Sequence, residues 1–309
     1  MVESDSRRLA IHQGLTIGLL FVGYTGFYLC RSNLSVAGKP IQEEMQTWGL
    51  SAVDARNLFG DVVTAGTIGY AVGKFLGGTL CDFLGGKRTF LLGMLGAVLA
   101  TVAFGLGRAV PLLFAAWVGN RLVQAIGWPG IIKVVSRWFS FASYGSVMGL
   151  ISLSYLFGDA LARRFLGWLF SEGLGWRTTF FIAAGVLSAL WLLSLALLRD
   201  SPTALGLEEP EANPASVFGS HADEARPESL RALLGPLLKS PAFWLVCGLS
   251  MGMTLLRETF NTWTPTYFSE VLRVSTQEAA DASAWFSFCG GVSVLVVGFL
   301  SDRIGRGGR

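Results

Sequence analysis

Apolar residues run along this chain in long blocks instead of alternating with polar ones, and the blocks lie at residues 11–37, 57–81, 88–107, 110–135, 144–171, 177–198, 241–265 and 279–300. A helix needs about 20 mostly apolar residues to cross the hydrocarbon core of a bilayer, and a strand of that length would be exceptional. The pattern therefore predicts eight membrane-spanning helices and an all-α membrane protein. Charges interrupt the fourth and fifth blocks, so their limits are the least sharply drawn. The first block is longer than the apolar core of a signal peptide and lacks a small-residue cleavage site, which makes it a first span.

One polar stretch is much longer than the others. Between 199 and 240 the chain turns to Pro202, Pro210, Pro214 and Pro227 among Glu208, Glu209, Glu211, Asp223, Glu224 and Glu228. This is the composition of a hydrophilic linker. It divides a six-helix bundle over 1–198 from the first two helices of a second bundle over 241–309. An internal repeat supports the division: Gly78, Asp82 and Gly85 in GTLCDFLGGKR recur with the same spacing as Gly298, Asp302 and Gly305 in GFLSDRIGRGGR. Two copies, each following the second helix of a bundle, mark a duplicated unit. If the second unit matches the first, four further helices are expected beyond Arg309, and the chain is expected to be part of a longer protein. The repeated segment resembles the loop motif of the major facilitator superfamily, in which the carboxylate, here Asp82 or Asp302, pairs with a neighbouring helix end and latches one conformation.

Composition agrees with lipid as the solvent, since 52% of residues are hydrophobic, only 15% are charged, and 39 of 309 are glycine. Glycine lets helices approach closely where lipid removes the hydrophobic drive between them. Basic residues are unevenly placed across the spans. Arg7, Arg8, Lys87, Arg88, Lys133, Arg137 and Arg199 are among thirteen on the side of the N-terminus, whereas only Lys39, Arg56, Arg108, Arg177 and Arg273 fall on the other. The richer side is read as cytoplasmic, which puts the N-terminus and the linker there and the protein in the cell's inner membrane as a multi-pass protein. Cys30, Cys81, Cys247 and Cys289 lack the spacing of a zinc site and are read as buried small residues. Of two histidines, His12 lies at a membrane edge and His221 in the linker. No nucleotide loop, metal-ligand cluster or Ser/His/Asp arrangement appears, so the sequence predicts neither an enzyme nor a bound cofactor or metal, and no nucleic-acid partner.

Six cations remain inside the predicted spans: Arg31, Lys74, Arg121, Arg163, Arg164 and Arg257. A charge at the centre of a spanning helix costs about 2.5–3.5 kcal/mol on insertion scales, so each is expected to face a cavity, a carboxylate or an aqueous end. Arg31 and Arg257 stand out because each lies in the first helix of its half, at comparable distances ahead of Asp82 and Asp302. Pseudo-symmetry brings them to the interface between bundles. Neither has an acidic residue one turn away on the same face. Two unpaired guanidinium forks facing one cavity suit phosphate; ion pairs with carboxylates on other helices are the alternative.

The segments GYTGFYLCRSNLSVA around Arg31, GYAVGKF around Lys74, QAIGWPGIIKVVSRWF in the fourth span, LLRDSPTALGLEEPE opening the linker and LLRETFNTWTPTY around Arg257 resemble the organophosphate:inorganic phosphate antiporters, the glycerol-3-phosphate and hexose-phosphate transporters of the major facilitator superfamily. The resemblance covers nearly the whole chain. It implies that a phosphorylated metabolite and inorganic phosphate are the small-molecule partners and that the protein works as a monomer in the bilayer. It also implies that Arg31 and Arg257 bind the phosphate group and that Lys74 lines the same pore with Tyr24, Tyr28 and Tyr70 near it, although each tyrosine reads equally well as a packing aromatic.

The chain departs from that family at two places. Ser32 stands where those members carry a second basic residue, and Ser154, Tyr155, Leu156, Phe157, Gly158 and Asp159 replace a His-Asn pair and glycine run in the fifth helix. Asp159 and Arg163 are one turn apart and form a possible intramembrane ion pair, either structural or selecting the organic part of the substrate, with Arg164 a second candidate. Two further functions fit the same resemblance: a transporter-like sugar-phosphate sensor and a proton-coupled symporter of organic anions.

Overall fold

The computed structural model describes residues 2–210, 230–273, 289–297 and 299–300, and among them the chain is helical with no strand. The helices are α1 (Val2–Val36), α2 (Gly38–Thr47), α3 (Ala52–Leu84), α4 (Gly86–Leu106), α5 (Val110–Ala125), α6 (Gly127–Trp138), α7 (Tyr144–Ser171), α8 (Trp176–Leu197), α9 (Leu230–Lys239) and α10 (Pro241–Glu270). Among the described residues five segments are long and apolar enough to cross a membrane: Ser6–Val36, Gly86–Leu106, Val110–Trp138, Tyr144–Ser171 and Trp176–Leu197. α3 has the length and carries one charge, Lys74, between Asp61 and Asp82, but its glycines and threonines leave it less apolar than these five. The expected span 241–265 is inside α10, and of the span expected at 279–300 only residues 289–297 and 299–300 are described, as helix.

Small residues set how the helices pack. α3 lies along α5, α1 along α7, and α4 between α5 and α8. Buried Gly66, Gly69, Gly73 and Gly77 form the contact stripe of α3. At Gly73 a Cβ would collide with the Leu122 carbonyl of α5, so the two backbones touch only because no side chain intervenes. The fourth span is not one straight helix. It breaks at Ile126 between α5 and α6, because Pro129 in the Gly127-Trp128-Pro129 run has no N–H to give the Ala125 carbonyl.

The two faces are stapled by charge. On the N-terminal side Gly85 takes φ of 83°, a value open to glycine, to end α3 and begin α4 within one residue. That turn places Asp82 3.7 Å from Lys133 of α6. Asp200 accepts from the Lys87 backbone N–H at 2.8 Å and pairs with Arg137 at 2.8 Å, and Arg137 also pairs with Glu209 at 2.6 Å. The first residues of the predicted linker pack against the bundle: Ser201, Pro202 and Leu207 are buried, as is Leu198 just ahead of them. On the opposite side α2, which no apolar block predicts, is tied down by Glu44, which accepts from Trp176 Nε1 at 2.7 Å and pairs with Arg177. Cys30 and Cys81 are buried as expected, whereas Cys247 and Cys289 are exposed, on helix faces that no other described element covers.

Candidate functional site

A buried polar chain leads to Arg31. Thr101 of α4 accepts from Asn120 Nδ2 at 2.9 Å, and Asn120 Oδ1 accepts from Gln124 Nε2 at 2.6 Å. Gln124 Nε2 also donates to the Cys30 carbonyl at 3.1 Å. With both amide hydrogens committed, Gln124 turns its Oε1 to Arg31 and accepts from Nε at 2.9 Å. Arg31 Nη1 donates to the Tyr28 hydroxyl at 3.2 Å, and Nη2, buried, has no hydrogen-bond partner among the described residues.

Aromatic faces complete the setting. The Arg31 guanidinium carbon lies 4.8 Å from the Tyr28 ring centre and 4.9 Å from that of Tyr70. Tyr70 also faces Lys74 at 5.1 Å and Arg121 at 4.6 Å. A tyrosine ring attracts cations through its negative face, so Tyr70 gathers the three without neutralising any of them. Among the described residues no carboxylate forms an ion pair with Arg31 or Lys74. The result is a concentration of positive charge whose guanidinium is held rigidly from behind and left open at one nitrogen. Such a group binds an oxyanion well, because its orientation is fixed before the ligand arrives.

The structure thus brings Arg31, Lys74, Tyr28 and Tyr70 together. Tyr24 is placed behind them, 3% exposed, with its ring 5.9 Å from Tyr28 and 5.1 Å from Trp128. Arg257 lies on α10, and its side chain is outside the described residues; Asp302 is outside them altogether. Asp159 and Arg163 pair at 2.9 Å across one turn of α7. Arg121, one of the six intramembrane cations, belongs to this cluster too; Asn120 and Gln124 also belong to it and are not singled out by sequence, although their spacing puts the amides one turn apart on one face of α5.

A sequence profile of the Major Facilitator Superfamily matches residues 20–309. A probable hexose phosphate transport protein of Chlamydia trachomatis is 26% identical over 94% of this chain and 64% of its own length. The glycerol-3-phosphate transporter of Bacillus subtilis is 23% identical over 97% of this chain and 68% of its own length, and the membrane sensor protein UhpC of Salmonella typhimurium is 24% identical over 94% and 64%. The chain therefore spans about two-thirds of the length of these relatives. In fold it is similar to the proton:xylose symporter XylE bound to 6-bromo-6-deoxy-D-glucose, with a TM-score of 0.63 over 95% of this chain and 71% of that one at 17% identity.

Proposed function

Because this chain belongs to the Major Facilitator Superfamily, a family of multi-pass membrane transporters and not of enzymes, we propose that it exchanges a phosphorylated organic metabolite, a sugar phosphate or glycerol phosphate, for inorganic phosphate by alternating access. The observation that carries the reading is Arg31, fixed at Nε by Gln124 and at Nη1 by Tyr28, with Nη2 buried and unpartnered among the described residues. Relatives that carry the names of hexose phosphate and glycerol-3-phosphate transporters support the choice of phosphate as the anion.

In this reading residues 1–198 are one bundle, 199–240 connect it to a second that begins at 241, and the substrate phosphate sits between Arg31 of α1 and Arg257 of α10. Tyr28 and Tyr70 shape the pocket, Tyr24 backs them, and Lys74 adds attraction for the entering anion. Asp82, held by Lys133, and its repeat Asp302 bias which face is open. The protein acts as a monomer in the inner membrane. Its N-terminus and linker are cytoplasmic, so a cysteine placed at Ser220 resists impermeant thiol reagents in intact cells; ready labelling from outside without leakage would reverse the orientation.

A sensor is the second reading, favoured by the likeness to a membrane sensor protein. Counterflow of labelled phosphate in proteoliposomes separates the two: a transporter takes up label against internal phosphate, and a sensor binds without flux. Dependence of uptake on a pH gradient, with no need for internal phosphate, would favour organic-anion symport instead.

A further inference from the structure

Beside the Arg31 cluster lies a second polar group of different character. Asp159 of α7 accepts from the Ser32 hydroxyl at 2.6 Å through Oδ1 and from Arg163 Nε at 2.9 Å through Oδ2. Arg163 Nη1 donates in turn to Ser35 at 3.3 Å. The group adjoins the cation cluster directly: Ser32 follows Arg31 in the chain, and the Tyr28 ring that faces Arg31 also lies against Gly158, where a Cβ would meet its Cδ2 at 3.3 Å.

Its chemistry does not suit the phosphoryl group. Asp159 and Arg163 cancel in net charge, and a carboxylate set against a phosphate would repel it. Mutual neutralisation lets both residues sit inside a span, and it still leaves them accessible: Asp159 keeps 34% of its side chain exposed and Arg163 keeps 53%. What the pair offers an uncharged neighbour is an acceptor and a donor side by side. A carboxylate has about four lone-pair directions, of which Ser32 and Arg163 take two here. A sugar hydroxyl both donates and accepts, so two adjacent hydroxyls match the pair, whereas an amine would require a carboxylate that Arg163 had not already neutralised.

We propose that Asp159, held by Ser32 and Arg163, reads hydroxyl groups on the organic part of the substrate, so that the protein selects polyhydroxylated phosphate esters. This rests on the phosphate-exchange reading above and can fail separately from it. The test is labelled-phosphate exchange in proteoliposomes of the purified protein, with glucose 6-phosphate, its 2-, 3- and 4-deoxy analogues and glucosamine 6-phosphate as competitors, for wild type, Asp159→Ala and the near-isosteric Asp159→Asn.

In wild type at least one deoxy analogue is expected to compete about tenfold less well than glucose 6-phosphate, since a site built to bond a hydroxyl is left with an unmet charged acceptor. In the variants that difference collapses to about twofold or less, while half-saturation by phosphate stays within about twofold of wild type. Equal competition by every deoxy analogue in wild type would overturn the proposal with no variant required. Discrimination that survives the variants, a tenfold preference for the amino sugar, or phosphate exchange lost in both variants would also overturn it. No phosphate exchange by wild type at all would instead sink the antiport reading.

Discussion

Arg31→Lys is expected to lower phosphate binding about 100-fold while leaving the protein inserted and helical. The charge survives the substitution, so an account based on charge alone expects almost no change. Arg31 has five N–H groups in one plane. One goes to Gln124 and one to the Tyr28 hydroxyl, and these two fix the plane while Nη2 stays without a partner among the described residues. Lysine has a single nitrogen, which can reach the glutamine or the anion but cannot hold a planar bidentate contact with the anion while anchored from behind. Losing one or two charge-assisted hydrogen bonds, each about 1.5–3 kcal/mol, accounts for the 100-fold. Arg257→Lys is expected to act in the same direction. Binding of labelled phosphate to purified variants, with helicity followed by circular dichroism, checks both; affinity within threefold of wild type would remove Arg31 as the phosphate clamp.

The second large effect is on net flux. In the proposed exchange, closing two bundles over an empty site with Arg31, Lys74 and Arg257 would strip water from like charges, and both desolvation and repulsion would oppose it. Phosphate carries up to about two negative charges near neutral pH and offsets both costs through charge-assisted hydrogen bonds. Occupied closure is then favourable from either side and empty closure is slow, so the bound anion shifts the equilibrium between the two states. Uptake of a sugar phosphate into vesicles loaded with phosphate is expected to exceed uptake into vesicles loaded with an inert anion by at least about tenfold, the effect of 1.4 kcal/mol on the closing step. Equal initial rates would end obligatory exchange and favour symport.

How much of this was legible in the sequence varies by element, for physical reasons. The long spans were, because a bilayer imposes length and composition together, and the Gly78-Asp82-Gly85 turn was, because only glycine takes the φ of Gly85 easily. α2 was not: a ten-residue amphipathic helix carries no lipid-length block, and its anchor, Glu44 with Trp176 and Arg177, spans more than 130 positions of chain. The packing of the linker's first residues against the bundle was not legible for the same reason. Pro202 and Glu209 look solvated locally, yet Arg137 and the bundle floor hold that segment in place.

At the site, Arg31 and Lys74 stood out because an intramembrane cation is expensive, and the Asp159–Arg163 pair because it lies one turn apart. Gln124 and Asn120 did not, since neutral amides inside a span cost less and look like ordinary helix-packing residues; only their contacts with Arg31 and Thr101 reveal a relay. Ser32 reads in sequence as a lost charge. In the fold it is the hydroxyl that holds Asp159.

In the proposed function the group recognised beside Arg31 is phosphate, and the protein moves it. Counterflow of labelled phosphate tests this most directly, in proteoliposomes of the protein preloaded with unlabelled phosphate and challenged from outside with a phosphorylated sugar or with the same sugar lacking its phosphate. Label is expected to accumulate transiently, with the phosphorylated sugar suppressing the accumulation and the bare sugar leaving it untouched. Accumulation blocked equally by the bare sugar, or no accumulation at all, would contradict it.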